Sequence, residues 1–409
     1  MNYVIIGNSA AAVGAVEGIR TLDAEGSITL ISSEPHHTYS RPLISYLLQG
    51  KTDEQRMKYR GDDFYTKNGV TALFDTTVTA IDPVKKTVQT SDGKTIAYDK
   101  LLTAVGSKPF VPPMNGLDSV ENKFTFMSLD DAHALQKALN PNARVLIIGA
   151  GLIGLKCAEG IADKVGSITV VDLANRILPS ILDEEASAIM QAYIESKGIV
   201  FKLSDSVQSF TADSATLQSG ETLGFDIVVI AVGVRPNTEL IQQAGGDVRR
   251  GIVTDLSCAT SLPDIYAAGD CTESLDITTN EERVLALLPN AYMQGECAGI
   301  NMADGEKRYD HAIPMNAIGF FGLHIITAGC YNGESTVLKH DSAYKRLVVK
   351  DNKLVGYILI GEVARAGIYT ALIRNQTPLD TIDFELIKEK PQLMAFSKAE
   401  RLRQLGGRK

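Results

Sequence analysis

The chain has 409 residues, of which 44% are hydrophobic and 22% charged, and its net charge is −9. That length supplies core for roughly two to four domains, and an acidic balance spread along the chain argues against a nucleic-acid binder, which needs a basic face to replace phosphate counterions. The five cysteines, Cys157, Cys258, Cys271, Cys297 and Cys330, are odd in number and show no CxxC or metal-like spacing. They argue against a disulfide framework or a metal site and make the reducing cytoplasm the expected compartment.

The opening MNYVIIGNSAAAVGAV lacks a basic n-region, and Gly7, Asn8 and Ser9 break its apolar run. It reads as a buried strand entering a helix rather than as a signal peptide, and no later apolar stretch reaches the roughly 18 residues that span a bilayer. Residues 3–34 predict strand, turn, helix, strand: YVIIG, NSAAAVGAVEGIR, SITLISSE. Gly7 begins the turn, and Ser9 and Ala12 stand where a dinucleotide loop has its second and third glycines, both small enough for close backbone approach. Glu34 supplies the acid at the end of the second strand. Next comes HTYSRPLISYLL (37–48), too polar at its start and too apolar at its end for a plain surface loop.

YDKLLTAVGSKP (98–109) predicts a strand stopping at a glycine turn that includes Ala104 and Gly106. Residues 144–172 then repeat the opening pattern as RVLIIG, AGLIGLKCAEGIA, SITVVD. Here Gly149, Gly151 and Gly154 have GxGxxG spacing after an apolar run of strand length and at the start of a helical pattern that includes Leu152 and Ile153, with Asp172 about 20 residues on. The first glycine makes the tight turn, the second admits a pyrophosphate, the third packs helix on strand, and the helix N-terminus faces the phosphates. FDIVVIAVGVRPN (225–237), with Gly233, echoes the earlier strand and turn. Two such units in one chain predict two dinucleotides.

LPDIYAAGDCTES (262–274) predicts a strand that stops at Gly269-Asp270, where a carboxylate can meet a ribityl or ribose hydroxyl. LPNAYMQGECAGINMAD (288–304) predicts a helix, in which Gln294 could be an ordinary solvated position. TVLKHDSAYKRLVVKDNKLVGYILIG predicts a β-meander turning at Asp351-Asn352 and closed by helices. His36 and His37, adjacent to each other, lack further ligands for a metal; His324 reads as a packed strand residue, and Cys157 and Cys271 as small buried hydrophobes. The C-terminus is mildly basic.

GNSAAA with Glu34, the two AVG turns, GAGLIG, YAAGDC and LPNAYMQGECAGINMAD together resemble the two-dinucleotide flavoproteins of the pyridine-nucleotide-disulfide oxidoreductase superfamily. The likeness is greatest to the branch without a redox disulfide: NADH:rubredoxin reductases, the NADH-oxidising part of nitrite reductases, and dioxygenase ferredoxin reductases. It covers about the whole chain, most specifically the first 310 residues. It implies an α/β fold, glutathione-reductase-like, with two Rossmann-like dinucleotide-binding domains and a small α+β C-terminal domain. The FAD-binding domain would comprise residues 1–112 and 237–308, the NAD-binding domain 113–236 and the C-terminal domain 309–409.

By the resemblance, Gly7, Ser9, Ala12 and Glu34 would hold the ADP half of FAD, with Arg41 and Pro42 along its pyrophosphate and flavin side, and Val78, Ala104 and Gly106 would also belong to the cofactor-binding residues. Asp270 with Gly269 would take the ribityl chain, and Asn290, Ala291 and Gln294 would lie beside the pyrimidine edge. Gly149, Gly151, Leu152, Ile153, Gly154, Asp172 and Gly233 would hold NADH. Disulfide-reducing members present cysteine to the flavin where this chain has YSRPLISYLL. Ser40 and Ser45 cannot shuttle electrons, so electrons from NADH must leave FAD for an external acceptor: rubredoxin, ferredoxin or a partner enzyme.

Two departures stand out: Lys156 replaces the glutamate of GxxGxE and Tyr46 the lysine of RPPLSK, so both are candidate catalytic residues near the flavin. An alternative snorkelling Lys156 would reach solvent from the first helical turn. Alternative activities are an NADH oxidase reducing dioxygen, or a flavin- and NADH-binding module that associates according to redox state.

Overall fold

The computed structural model describes residues 1–340, 343–397, 401 and 402; most of the basic C-terminal end lies outside the described residues. The chain divides into two compact units, one of residues 1–179, 190–274 and 282–310, the other of residues 180–189, 275–281 and those from 311 on.

The first unit contains two five-stranded parallel sheets. One orders Ile265–Ala267, Lys100–Thr103, Asn2–Ile6, Ser27–Ile31 and Val70–Leu73, so strands from both ends of the unit share it. The other orders Ile199–Leu203, Ser167–Asp172, Arg144–Ile148, Ile227–Ile230 and Lys123–Phe124. Tyr3 to Ile6 and Val145 to Ile148 are buried throughout, as central strands of a sheet covered on both faces must be. Both predicted strand–helix–strand repeats therefore form, and the two AVG turns, far apart in sequence, run into short strands that pair antiparallel, Val234 with Pro109 and Pro236 with Ser107.

Helix α1 (Ala10–Arg20) is buried along most of its length. It packs against a second helix, Leu288–Met302, so closely that a Cβ at Gly295 or Gly299 would overlap the carbonyl oxygens of Ala11 and Ala15. Small residues on both partners let the backbones touch, which brings the start of each helix to the same edge of the sheet. Helix α2 (Ile44–Gln49), with Ile44, Ser45 and Leu48 buried, follows a short 3-10 turn at Arg41–Leu43. It packs on helix α3 (Leu152–Ile161), where Gly160 lies against the backbone of Ser45.

In the second unit the predicted meander forms from the strands Glu334–His340, Ala343–Lys350 and Lys353–Ile360, and two earlier strands extend its sheet. The strands Met315–Phe320, Leu323–Gly329, Lys353–Ile360, Ala343–Lys350 and Glu334–His340 lie side by side in that order, all antiparallel. Lys353–Ile360 is buried from Gly356 to Ile360 and takes the centre; the exposed, polar Glu334–His340 is left at the edge, where unpaired backbone can face water. The hairpin at Asp351-Asn352 forms as predicted, both residues having positive φ (50° and 59°), as a tight two-residue turn requires. His324 lies on a strand but is exposed, not packed. Within this unit Asp183 accepts hydrogen bonds from Arg346 and Tyr344, each at 2.8 Å. Among the described residues no helix is long and apolar enough to cross a membrane.

Candidate functional site

Gly7 has φ +118° and its N–H bonds to the carbonyl of Ile31 at 2.8 Å; a Cβ there would overlap the carbonyl oxygen of Ala104. The loop thus runs hard against the end of the neighbouring strand and only glycine fits. Ser9 caps α1 in extended conformation without using its hydroxyl, and Ala12 is fully buried. The intrahelical ladder of α1 opens with the Val13 N–H bonded to the Ser9 carbonyl at 3.0 Å, and a helix start of this kind favours an anion.

Glu34 does not stand alone. It accepts from the Tyr39 hydroxyl at 2.8 Å and forms an ion pair with Arg41, which also donates to the Tyr39 oxygen at 3.2 Å. That oxygen further accepts from the backbone of Leu129 at 3.0 Å. Burial works against the Arg41 charge, but Tyr39, Glu34 and Asp270 together hold it above its ordinary range. Arg41 therefore lies in the field of both expected carboxylates, Glu34 and Asp270. Pro42 is exposed beside it and shapes the 3-10 turn.

Asp270 accepts from Ser107 at 3.4 Å, and withdrawal from water raises its carboxyl above the usual range against the opposing pull of Ser107 and Arg41. The Gly269 N–H bonds to the side-chain oxygen of Gln294 at 2.8 Å, while the Gln294 amide donates to Thr272 at 2.9 Å and Ser274 at 2.7 Å. At 3% exposure Gln294 is not a solvated helix position; it braces the turn that carries Asp270. Gly269, with φ +88°, sits against Ala11 and Ala291, and Asn290 and Ala291 are both buried. Ala104 is buried and Gly106 has φ +64°, its carbonyl accepting from Asn237 at 3.0 Å. The Val78 side chain is packed in the core with Val4, Ile6 and Ile31, so any part it plays falls to its backbone.

In the second repeat Gly149 has φ +113°, Gly151 occupies the N-cap of α3 in extended conformation with open space about it, and a Cβ on Gly154 would overlap the Gly149 carbonyl. Leu152 and Ile153 form the half-buried first turn, and Gly233 is exposed with φ +115°. The two oxygens of Asp172 accept from the N–H of Ala150 at 2.6 Å and of Ala174 at 2.7 Å. The carboxylate is thereby fixed at the strand end with lone pairs remaining on each oxygen.

Lys156 and Tyr46 meet where α2 and α3 pack. The ammonium lies 4.5 Å from the Tyr46 ring centroid, a cation–π contact. It is also ion-paired with Glu159, and the side chains of Lys156 and Glu159 are only 11% and 4% exposed. The snorkelling alternative is excluded by that burial. Gln49 of α2 donates to the Glu159 carbonyl at 3.1 Å.

The five cysteines are free, and none lies on α2. Burial pushes the Cys271 thiol up to about 12 and raises Cys157 also. Among the described residues no three His, Cys, Asp or Glu side chains are placed to hold a metal.

The arrangement adds residues that the motifs did not mark. Tyr39 and Ser107 carry no motif, but Glu159 could have been found from its i,i+3 spacing to Lys156.

Residues 1–295 match the family described as pyridine nucleotide-disulphide oxidoreductase. The chain belongs to that family. In this pyridine nucleotide-disulphide oxidoreductase, residues 314–377 also match the rubredoxin NAD+ reductase C-terminal domain. The chain is 32% identical over 390 residues to the NADH-dependent phenylglyoxylate dehydrogenase subunit epsilon of Aromatoleum evansii, with 92% of each chain covered. It is 30% identical over 388 residues to the NAD(P)H nitrite reductase of Bacillus subtilis, covering 92% of this chain and 47% of that relative. This chain thus spans about half the length of the latter. Among solved structures, the covalent putidaredoxin reductase–putidaredoxin complex superposes with a TM-score of 0.88 at 23% identity, covering 100% of this chain and 99% of that one, a likeness of fold.

Proposed function

We propose that this protein is an FAD-dependent NADH oxidoreductase that passes electrons from NADH through FAD to a small electron-carrier protein or partner reductase, without a redox-active disulfide. The observation that carries this is the α2–α3 contact: where a disulfide reductase would present thiols, Tyr46, Lys156 and Glu159 meet instead. The match of residues 314–377 to the rubredoxin NAD+ reductase C-terminal domain supports a small iron–sulfur or iron carrier as acceptor. The absence of a long apolar helix among the described residues is compatible with work in the cytoplasm.

We assign residues 1–112 and 237–308 to FAD binding, 113–236 to NAD binding and 309–409 to the C-terminal domain. The residues fit FAD: Gly7 lets the loop press against the Ala104 carbonyl, Ser9 opens α1 with its hydroxyl unused by the cap, and Asp270 offers a carboxylate with acceptor capacity beyond its bond to Ser107. Glu34 would take ribose hydroxyls while its ion pair with Arg41 holds the guanidinium over the phosphates. Asn290, in the first turn of the Leu288–Met302 helix, would lie with the helix start at the pyrimidine edge, with Ala291 lining it through its side chain because its N–H bonds the Leu287 carbonyl at 2.9 Å, and Gln294 would keep the Gly269-Asp270 turn in place. When bound, the flavin supplies the chemistry that converts a two-electron donor into single-electron steps. Lys156 and Tyr46 would cover it from the NADH side, excluding water and placing a positive charge there.

Glycines 149, 151 and 154 would hold the NADH pyrophosphate, and Asp172 would accept from the 2′-hydroxyl while repelling a 2′-phosphate. NADH should therefore exceed NADPH in kcat/KM by about tenfold or more, a difference of about 1.4 kcal/mol or more. A ratio favouring NADPH would remove Asp172 from this role.

Replacing all five cysteines by alanine or serine should leave ferricyanide-coupled NADH oxidation within about twofold, because no thiol lies in the electron path proposed here. A folded, flavin-loaded variant that is inactive would overturn the disulfide-free route. The wild-type assay also separates the two alternatives: turnover that needs only dioxygen marks an oxidase, and a stable NADH complex without turnover marks a binding module.

A further inference from the structure

Asn8 has no part in the site described so far, yet its side chain leaves the 7–9 turn and closes on a distant segment. Its amide N–H donates to the His36 carbonyl at 3.1 Å, and its side-chain oxygen accepts from the Tyr65 hydroxyl at 2.8 Å. The Tyr65 oxygen in turn accepts from the Thr38 N–H at 3.0 Å. A backbone donor thus takes one lone pair of that oxygen, which leaves the hydroxyl proton for Asn8 and fixes which end of the Asn8 amide faces it. The Tyr65 ring is held on three sides. It is 8% exposed, and His37, Phe64 and Phe74 meet it edge-on with centroids 4.8, 5.3 and 5.5 Å away.

The segment that Asn8 and Tyr65 grip continues into Tyr39, whose hydroxyl donates to Glu34 and accepts from Arg41. One connected path therefore runs from the 7–9 turn through Asn8, Tyr65 and the backbone of residues 36–39 to the Glu34–Arg41 pair. We propose that Asn8 and Tyr65 are positioning residues for the ADP half of FAD, setting the distance between the turn that takes the pyrophosphate and the carboxylate that takes the ribose. The inference rests on the reading above that FAD lies over this turn. The turn supplies no fastening of its own: Gly7 has no side chain, and the Ser9 hydroxyl makes no cap bond. Its place is set from outside, and the Asn8 amide is the group that reaches out. Asn8 and Tyr65 act through the backbone that they hold.

The link can be cut at either end. Tyr65→Phe keeps the ring packing but leaves the N–H of Thr38, a buried residue, without its acceptor. Asn8→Ala keeps the bond between Tyr65 and Thr38 and releases the turn, so it tests the link without disturbing the packing around Tyr65. Changes at the two ends of one link do not add.

The test titrates full-length apoprotein with FAD, measures the inhibition constant of ADP against that binding, and records thermal melting. Tyr65→Phe and Asn8→Ala should each weaken FAD binding about three- to tenfold and raise the ADP inhibition constant by the same factor. The double variant should bind FAD no more weakly than the weaker of the two single variants. Asp270→Ala, on the ribityl side, should weaken FAD and leave ADP unchanged. Wild-type FAD and ADP constants in both variants, whatever their melting temperatures, would reduce the pair to a structural fastening and overturn the proposal. Losses that multiply in the double variant, or a loss of FAD affinity that ADP does not share, would overturn it also. Full FAD affinity in Asp270→Ala would instead overturn the underlying placement of FAD, a failure told apart because that variant leaves the link between Asn8 and Tyr65 whole.

Discussion

Asp270→Ala is expected to purify mostly without flavin. In the proposed site its carboxylate meets a ribityl hydroxyl from a strand end that Gln294 braces through the Gly269 N–H, so it acts from a fixed position. A hydrogen bond to a charged acceptor in a partly dry groove is worth about 1.5–3 kcal/mol, which is roughly ten- to a hundredfold in the dissociation constant. Gln294→Leu should weaken flavin binding by a related route, because it leaves the Gly269 N–H buried without its acceptor, at a cost of about 1–3 kcal/mol. The two differ in one respect. Asp270→Ala keeps the turn and loses a ligand contact, so its melting temperature without FAD should stay near that of wild-type apoprotein. Gln294→Leu should lower it. The ratio of flavin to protein absorbance after purification, and a titration of apoprotein with FAD, measure both. Full flavin occupancy in Asp270→Ala would take Asp270 out of the site.

What could be read from the sequence divides along a physical line. The turns at Gly7 and Gly149 were legible because each needs positive φ and no Cβ, a demand of the local backbone that shows as residue identity. Asp172 was legible for the same reason, being fixed at a strand end that the apolar run defines. Gln294 was not. Its helix packs through glycines 295 and 299 against α1, so small residues, rather than an apolar stripe, mark the buried face. Tyr39 bonds the N–H of Leu129, 90 residues away, and no periodicity encodes such a contact. In the second unit the order of the last three strands was legible as a meander, but the place of Met315–Phe320 and Leu323–Gly329 beside Lys353–Ile360 was hidden: alternation reports which face of a strand is buried but not which distant strand lies beside it. Only burial of Lys353–Ile360 on both faces, visible as the run LVGYILI, hinted at its central place.

Exchanging Lys156 for methionine and Glu159 for glutamine should move the flavin midpoint potential in opposite directions. Taken alone, a charge about 5 Å from the ring at an effective dielectric of about 20 is worth roughly 3 kcal/mol, cut by solvent to about 1–2, or on the order of 20–45 mV for a two-electron couple. The structure adds a counter-charge. Glu159 is ion-paired with Lys156 and is itself only 4% exposed, so the net field at the proposed flavin position is that of a dipole and each charge partly cancels the other. Lys156→Met removes the positive end and should lower the potential by on the order of 20 mV or more. Glu159→Gln bares the ammonium beside Tyr46 and should raise it by a similar amount, and the double variant should return near wild type. Stability provides a second reading of the same pair. Glu159→Leu leaves a buried ammonium without its partner and should cost about 3 kcal/mol, whereas Lys156→Met with Glu159→Leu removes both charges and should recover most of that loss. Redox titration against a reference dye and denaturant unfolding of the wild type and these variants decide the matter. Unequal stabilities with indistinguishable potentials would mean that the ion pair clamps α2 to α3 without addressing the flavin.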